Sequence, residues 1–283
     1  MIREPLPNAL ATPRISRPSL PLRPLPWGAL SSPLYLAGSF GLLLGLWAAV
    51  AWLAGGDLPG PATTLSRLWG LIRDPLYDRG PNDKGIGLQL FASLQRVFTG
   101  FALGSLVAIP LGILIGLSPT ARRLIDPIVQ ILRPISPLAW FPIGLASFQA
   151  AGTATIFIIF ITSLWPTVIN TAFGVGNIPQ THKQVAQVFR FSRRKYLMKV
   201  VFPYSLPHML TGLRLSLGIA WLVIVAGEML SGGTGIGFFV WDKWNALDLE
   251  QVISAILLIG LVGLALDRGF LFLIKRFSYG EAN

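Results

Sequence analysis

The longest uncharged stretch of the chain runs from Pro134 to Thr181, 48 residues without an Asp, Glu, Lys or Arg. A helix needs about 20 apolar residues to cross a bilayer core about 30 Å thick, so this stretch predicts two crossings joined by a turn near Gln149–Thr153. Hydrophobic residues make up 53% of the chain and charged residues 12%, whereas a typical soluble domain has about 25% charged residues. The sequence therefore predicts an all-α, polytopic membrane protein.

Four further apolar runs bring the predicted number of transmembrane helices to six. The first, Leu34 to Ala54, follows a segment with eight of the 22 prolines and four arginines against one acid. Such a segment cannot form a regular helix, so residues 1–33 are interpreted as a proline-rich, basic cytoplasmic arm. A cleaved signal peptide is the alternative, but its apolar region is usually shorter than these 21 residues. The predicted spans are 34–54, 97–117, 126–148, 153–174, 206–230 and 251–274. They imply an outer loop at 55–87, a transmembrane core at 88–276 and a cytoplasmic tail at 277–283.

The distribution of basic residues orients these spans. One side of the predicted membrane carries sixteen Lys or Arg, six of them between Lys183 and Lys199, and the other side carries six. Cytoplasmic loops retain the excess of Lys and Arg, so both termini and the segment around residue 190 are expected in the cytoplasm. This asymmetry accounts for the net charge of +11 without a nucleic-acid partner, for which the sequence holds no recognition motif.

The third predicted span is interrupted by Pro134, Pro137 and Pro142. Each proline removes a backbone donor, and the freed carbonyls persist at membrane depth where they face protein or a water-filled cavity. A broken helix lining a translocation pathway is therefore one interpretation, and a merely kinked, packed helix is the other. The first interpretation makes Pro134, Ser136, Pro137 and Trp140 candidate pathway residues.

Two ionisable residues, Arg214 and Glu228, lie inside the fifth predicted span. Their separation of 14 residues places them within about 40° of one helical face and about 21 Å apart along the axis. Charge inside a membrane usually faces a cavity or a partner, which makes both residues candidates for the pathway, and Arg214 would suit an anion. The alternative is that each reaches the nearer membrane interface. Asp126, Asp267 and Arg268 lie closer to the interfaces, where a structural role is favoured.

Two local predictions concern the outer side. A short helix carrying Ser93 and Arg96 is expected to precede the second span. The glycine-rich run from Ser231 to Gly237 resembles a dinucleotide fingerprint only superficially, because no strand and helix surround it. It is interpreted as a flexible outer loop.

The sequence contains no sign of chemistry of its own. It has no phosphate-binding G-x-x-x-x-G-K-[ST] loop, no cysteine and two histidines, His182 and His208. A catalytic role, a bound cofactor and a metal site are therefore not expected. Any energy-requiring process in which this chain takes part would therefore need an energy source on another subunit.

The segment after the fourth predicted span carries a recognisable pattern. Gln184-Val185-Ala186, Arg190 and Val201-Phe202-Pro203 followed by Leu206-Pro207 resemble the Glu-Ala-Ala loop of type I ABC importer permeases. The run from Thr211-Gly212-Leu213-Arg214 to Ala226-Gly227-Glu228 resembles the nitrate, bicarbonate, taurine and alkanesulfonate branch. Other segments are most similar to its cyanobacterial nitrate and bicarbonate members, namely Asp83-Lys84-Gly85, Ser93–Val97, Arg133–Trp140, Phe148-Gln149 and Gly235–Phe239.

The resemblance implies a pore of two copies of this chain in the inner membrane of a bacterium, surrounded by lipid. It also implies two cytoplasmic ATPase subunits that bind ATP and Mg²⁺, and an outer solute-binding protein. A coupling helix from about Thr181 to Ser192 would lie in a groove of the ATPase. Gln184 and Arg190 depart from the family's Glu and Gly, so coupling cannot depend on a carboxylate at Gln184. The coupling residues by this resemblance are Gln184, Val185, Ala186, Gln187, Arg190, Ser192, Arg193 and Pro203.

The expected function is therefore ATP-driven import of a small inorganic oxyanion by alternating access, with nitrate or nitrite ranked first and bicarbonate second. Taurine or an alkanesulfonate is the alternative substrate. A self-sufficient secondary transporter or channel is the alternative of another class, and the absence of an inverted repeat and of more intramembrane carboxylates disfavours it. A membrane scaffold without transport is disfavoured by the prolines of the third span.

Overall fold

The computed structural model describes residues 31–277 except Asn82, with backbone alone for residues 31–33 and Phe277. The predicted arm and tail thus lie almost wholly outside the described residues. Within the described part, every regular element is a helix. The helices are α1 (Ser31–Leu53), α2 (Pro61–Arg73), α3 (Ile86–Leu117), α4 (Pro119–Leu132), a 3₁₀ turn (Pro137–Trp140), α5 (Phe141–Phe148), α6 (Ala151–Gly176), α7 (Gln180–Val188), α8 (Arg193–Tyr196), a π-helical turn (Leu197–Val201), α9 (Phe202–Ser231), α10 (Ile236–Asn245) and α11 (Leu249–Phe277).

The apolar segments are long enough to cross a membrane, as predicted. Among the described residues, five continuous helical stretches qualify by length and composition. Helix α4, with the 3₁₀ turn and α5, forms a sixth segment that is bent by 96° at its break. The turn predicted between the third and fourth spans lies at Gln149 and Ala150. The prediction of an all-α, multi-pass membrane protein is therefore confirmed.

The chain divides into two compact units, residues 1–50 and 51–283. In the described part of the first unit, α1 is apolar throughout its length. In the second unit, α3, α6 and α9 pack along one another, and α10 and α11 join them through a shared apolar core. The largest fully buried members of that core include Ile159 of α6, Ile224 of α9 and Ile236 of α10.

Close approach between α3 and α6 depends on glycines of α3. A methyl group placed on Gly100 would lie 2.7 Å from Cβ of Ile159, and one on Gly112 would lie 2.6 Å from Cβ of Thr171. Within a lipid bilayer the hydrophobic effect does not drive helices to associate. Van der Waals contacts between closely packed backbones stabilise the helix pair instead. These glycines therefore fix the helix pair that carries one wall of the site described below.

Several boundaries predicted from the sequence are wrong. The predicted short helix with Ser93 and Arg96 is continuous with the second span in α3. The fifth predicted span is part of a longer helical stretch, because α8, the π-helical turn and α9 run together from Arg193 to Ser231. The π-helical turn ends at Val201, two residues before Pro203, and this local change of helical pitch accommodates the proline's missing N–H.

Two short helices lie in segments that were predicted as loops. In the outer segment 55–87, α2 turns Thr64 and Leu68 inward against α11, where Ser254 Oγ donates to the Thr64 carbonyl oxygen at 3.1 Å. In the segment after the fifth span, α10 buries Ile236 and Phe239. Both helices are too short to be recognised as spans, and their packing on longer helices stabilises them.

Candidate functional site

The break in the third span separates two helices that differ in character. Helix α4 is amphipathic, with Leu124, Ile128 and Ile131 exposed on one side. The chain then leaves the α-helix at Arg133, and the 3₁₀ turn begins at Pro137. The carbonyl oxygen of Ser136 accepts the Ala139 N–H at 3.0 Å, which closes this turn without the donors that proline lacks.

The polar face of α4 lines the larger of two cavities beside the break. Arg122, Asp126, Gln130 and Arg133 all line it, and their spacing of four, four and three residues keeps them on one helical face. The cavity has a volume of about 790 Å³. Its other walls come from the end of α3 and from α6, and Pro134 of the predicted pathway set also lines it.

The smaller cavity lies on the other side of the break and has a volume of about 290 Å³. It brings together Pro137 and Trp140 of the predicted set with residues of α6 and α9. Trp140 has a buried indole N–H without a hydrogen-bond partner within the described residues. Arg133 and Ile169 line both cavities, so the cavities meet where the third span breaks.

Arg214 has a partner in α11. Its Nε donates to Oδ1 of Asp267 at 2.6 Å and its Nη2 to Oδ2 at 2.8 Å, a bidentate ion pair that satisfies both carboxylate oxygens. The pair lines a groove of about 480 Å³ between α9 and α11, and Leu215 and Ile219 line both this groove and the smaller cavity. Arg214 itself lines neither cavity and is paired with Asp267, the residue predicted to have a structural role.

Glu228 is fully buried and is the centre of a polar cluster. Its Oε1 accepts a hydrogen bond from Nη1 of Arg96 at 2.6 Å. Its Oε2 accepts hydrogen bonds from Ser93 Oγ at 2.7 Å and from the Gly237 N–H at 3.0 Å. Arg96 also donates to the Thr234 carbonyl oxygen at 2.6 Å. A buried carboxylate with this many donors is satisfied, so Glu228 joins α3 to the loop after α9.

That loop, predicted to be flexible, is held at several points. Its Gly235 N–H donates to Gln89 Oε1 at 2.6 Å and the Ile236 N–H to Ser93 Oγ at 2.8 Å. A Cβ at Gly235 would overlap the Glu228 carboxylate. The glycine is therefore needed for close approach rather than for flexibility.

Sequence reasoning missed Arg133 and the three α3 residues Gln89, Ser93 and Arg96 as parts of these sites. The α3 residues are spaced by four and three, one helical face, directly before a long apolar run. That spacing was a usable signal. Arg133 was counted among the cytoplasmic basic residues, and its place at the cavities depends on tertiary structure that the sequence does not give.

The segment predicted to couple to an ATPase contains α7, which ends at Val188. The Phe191 N–H donates to the Ala186 carbonyl oxygen at 2.9 Å and the Arg190 N–H to that of Gln187 at 3.0 Å. These two bonds form a Schellman motif, and Arg190 takes its left-handed position with φ +48°. Arg190 thus stands at a position that favours glycine.

The same segment restarts as a helix at Arg193. Ser192 caps α8, because its Oγ accepts the Lys195 N–H at 3.3 Å. Lys195 lies over the Phe191 ring, with Nζ 4.3 Å from the ring centroid. Gln184 and Gln187 are exposed, Ala186 is buried, and Pro203 lies in the first turn of α9.

Three apolar side chains of this segment face outward. Val185 is 52%, Val188 79% and Phe189 69% exposed. They are spaced by three and one residues along α7 and its end, which places them on adjacent parts of one surface. We call Val185, Val188 and Phe189 the apolar coupling surface.

The chain is similar in sequence to a known protein family and to several characterised permeases. Residues 108–279 match the family described as "Binding-protein-dependent transport system inner membrane component". The chain is 46% identical over 237 residues to the nitrate import permease protein NrtB of Synechocystis sp., covering 84% of this chain and 86% of that protein. It is 47% identical over 236 residues to the bicarbonate transport system permease protein CmpB of Synechococcus elongatus, covering 82% and 84%.

A more distant relative is the taurine transport system permease protein TauC of Escherichia coli, 33% identical over 249 residues and covering 86% of this chain and 89% of that one. Among solved structures, the inward-facing MetNI methionine ABC transporter has the same fold, with a TM-score of 0.59 at 15% identity over 67% of this chain and 94% of that one. The chain therefore belongs to the ABC importer permeases, the inner membrane components of binding-protein-dependent transport systems.

Proposed function

We propose that the chain is the permease subunit of an ATP-driven importer that carries a small inorganic oxyanion into the cytoplasm, nitrate first and bicarbonate second. The observation that carries this proposal is the identity of 46% and 47% to a nitrate and a bicarbonate permease over more than four fifths of the chain. The identity to the taurine permease is lower, at 33%. An organic sulfonate is therefore the less favoured substrate.

The cavities support a transport role. The third span is broken where the two cavities meet, and non-helical backbone at membrane depth is stable when it lines a water-filled space. A route through the larger cavity, past Arg133 and into the smaller one would carry the anion along protein rather than lipid. Rocking of the helices around the break would open this route to one side and then to the other.

The apolar coupling surface supports a cytoplasmic partner. An exposed helix with Val185, Val188 and Phe189 on its surface fits a hydrophobic groove of a second protein. We assign that groove to an ATPase subunit that holds ATP and Mg²⁺, with two such subunits serving a pore of two copies of this chain. A solute-binding protein would deliver the anion on the outer side.

The basic residues support the orientation. Arg190, Arg193, Arg194 and Lys195 all lie at the apolar coupling surface or directly after it. Because cytoplasmic loops retain such clusters, we infer that this end of the molecule faces the cytoplasm, and we propose the same side for both termini. The cluster around Glu228 then lies toward the outer side.

Transport by the purified complex in proteoliposomes tests the proposal. ATP and Mg²⁺ would be enclosed in the vesicles, the binding protein and labelled nitrate, bicarbonate or taurine added outside, and accumulation followed with time. We expect nitrate to accumulate only with enclosed ATP, and bicarbonate to be the second-best substrate. Accumulation without ATP would indicate a secondary transporter, and purification of the chain as a monomer without an ATPase would contradict the importer.

A further inference from the structure

Arg133 occupies the junction between the two cavities, at the end of α4. It is the one charged residue among the described residues that line the smaller cavity. The other walls there are mainly apolar or aromatic, with Thr162 and Asn170 as the polar exceptions. The local field at the entrance to the smaller cavity is therefore positive.

The other charges of the larger cavity cancel. Arg122 Nε donates to Asp126 Oδ2 at 3.2 Å, one turn apart on α4. Arg133 forms no ion pair with any residue in the described ranges 31–81 and 83–277. This leaves its guanidinium as the unneutralised charge where the two cavities join.

Arg133 is exposed and lines both cavities, so its guanidinium is accessible to an ion in either of them. Charged side chains within membrane-spanning segments usually face a cavity and mark substrate or ion pathways. A guanidinium presents several N–H donors in one plane, which matches the planar arrangement of oxygens in nitrate or bicarbonate. The two other intramembrane charges considered from the sequence, Arg214 and Glu228, are already paired.

We propose that Arg133 is the residue that holds the transported oxyanion between the two cavities, through charge-assisted hydrogen bonds from its guanidinium. This inference rests on the proposed function and names the substrate contact within it. It assigns selectivity for a small planar anion to the break in the third span. Arg214 then has a structural role with Asp267.

Substitution at Arg133 tests the assignment in cells whose own copy of the gene is replaced by each variant. We expect Arg133→Gln to raise the KM for nitrate uptake by about tenfold or more, the effect of losing about 1.4 kcal/mol of binding. Arg133→Lys should retain part of the affinity, because it keeps the charge and loses the planar fork. Arg123→Gln is the matched control, because Arg123 lies on the same helix, is exposed and lines neither cavity.

A second measurement does not depend on the fold of the Arg133 variants. The chain has no cysteine, so Ile169→Cys places a single thiol of this chain where both cavities meet. In the assembled complex with Arg133 intact, nitrate should slow maleimide labelling of this thiol severalfold. Labelling of Leu247→Cys, at a residue 82% exposed, should not respond.

The outcomes separate this inference from the proposed function. An unchanged KM in Arg133→Gln, or labelling of Ile169→Cys that nitrate does not slow, would overturn the role of Arg133 while nitrate uptake by the unsubstituted protein still stood. Absence of any nitrate uptake by the unsubstituted complex would overturn the proposed function itself.

Discussion

Arg96 of α3 and Glu228 of α9 lie 132 residues apart in sequence and form a 2.6 Å ion pair in which the carboxylate is fully buried. Ser93 and the backbone of Gly237 complete the coordination of Glu228. The pair connects two of the three central helices to the start of α10. It makes this end of the helical core a single unit, and it removes Glu228 from the charges available to a moving substrate.

Breaking this pair on one side should destabilise the protein strongly. Glu228→Gln retains the shape of the side chain but leaves Arg96 without its anion, and loss of one partner of a buried pair costs about 3–5 kcal/mol. Thermal unfolding of the detergent-solubilised protein measures the effect. Lys84→Met removes the more exposed ion pair with Asp78 and should cost less than about 1 kcal/mol. Equal losses in the two variants would show that the Glu228 cluster is not a structural centre.

Asp248, at the start of α11, should make the stability of the protein depend on pH. Burial acts to raise the pKa of Asp248, but hydrogen bonds from the Gln251 backbone and side chain and from Arg67 outweigh it and hold the pKa below its ordinary value. A lowered folded-state pKa contributes stability that is present above the unfolded value of about 3.9 and is lost as the pH falls through the folded value.

We therefore expect Asp248→Asn to be less stable than the unsubstituted protein at pH 7 by up to about 1 kcal/mol, because Asn keeps the capping acceptor and loses the charge. The difference should shrink as the pH falls below about 4. Unfolding midpoints measured at both pH values check this. A difference that is constant with pH would mean that the charge of Asp248 contributes nothing.

Much of the fold could be predicted from apolar length alone, because about 20 uncharged residues have few alternatives to a membrane helix. The places where prediction was wrong were those at which tertiary contacts decide the structure. Ser93 and Arg96 are polar residues that α3 tolerates only because Glu228 and the Gly235 loop receive them. Packing on α11 similarly stabilises α2, which has no strong signal of its own.

The candidate site was predictable in part. The prolines of the third span indicated a break, and the structure has one with a 96° bend. The roles of Arg214 and Glu228 in the fifth span could not be predicted from the sequence, because their ion-pair partners, Asp267 and Arg96, come from other helices. Arg133 was not distinguished from other basic residues, since only the positions of α6 and α9 create the cavities around it.

Arg190 provides a test of backbone strain in the coupling segment. It has φ +48° at the end of α7, is exposed, and stands where the family's pattern has glycine. A residue with a Cβ pays roughly 1–2 kcal/mol for left-handed backbone, so Arg190→Gly should stabilise the protein by up to about 1 kcal/mol after the entropy cost of glycine. Arg190→Val, which is branched at Cβ, should destabilise it. Thermal unfolding measures both, and a destabilising glycine would show that the arginine side chain contributes more than its backbone costs.

The apolar coupling surface should decide whether ATP hydrolysis is linked to transport. Deletion of residues 184–192 should abolish uptake, and the double substitution Val188→Asp with Phe189→Ser should do so without unfolding the chain, because both side chains are exposed. An aspartate in an apolar groove loses its hydration without gaining a partner, which weakens helix-in-groove binding.

Gln184→Ala is the matched control, since Gln184 is exposed and forms no side-chain hydrogen bond with the described residues. The effect of this substitution on uptake should be mild. Uptake and co-purification of the ATPase would be measured together. Full uptake with the ATPase still bound in the double variant would place the coupling contact elsewhere on this chain.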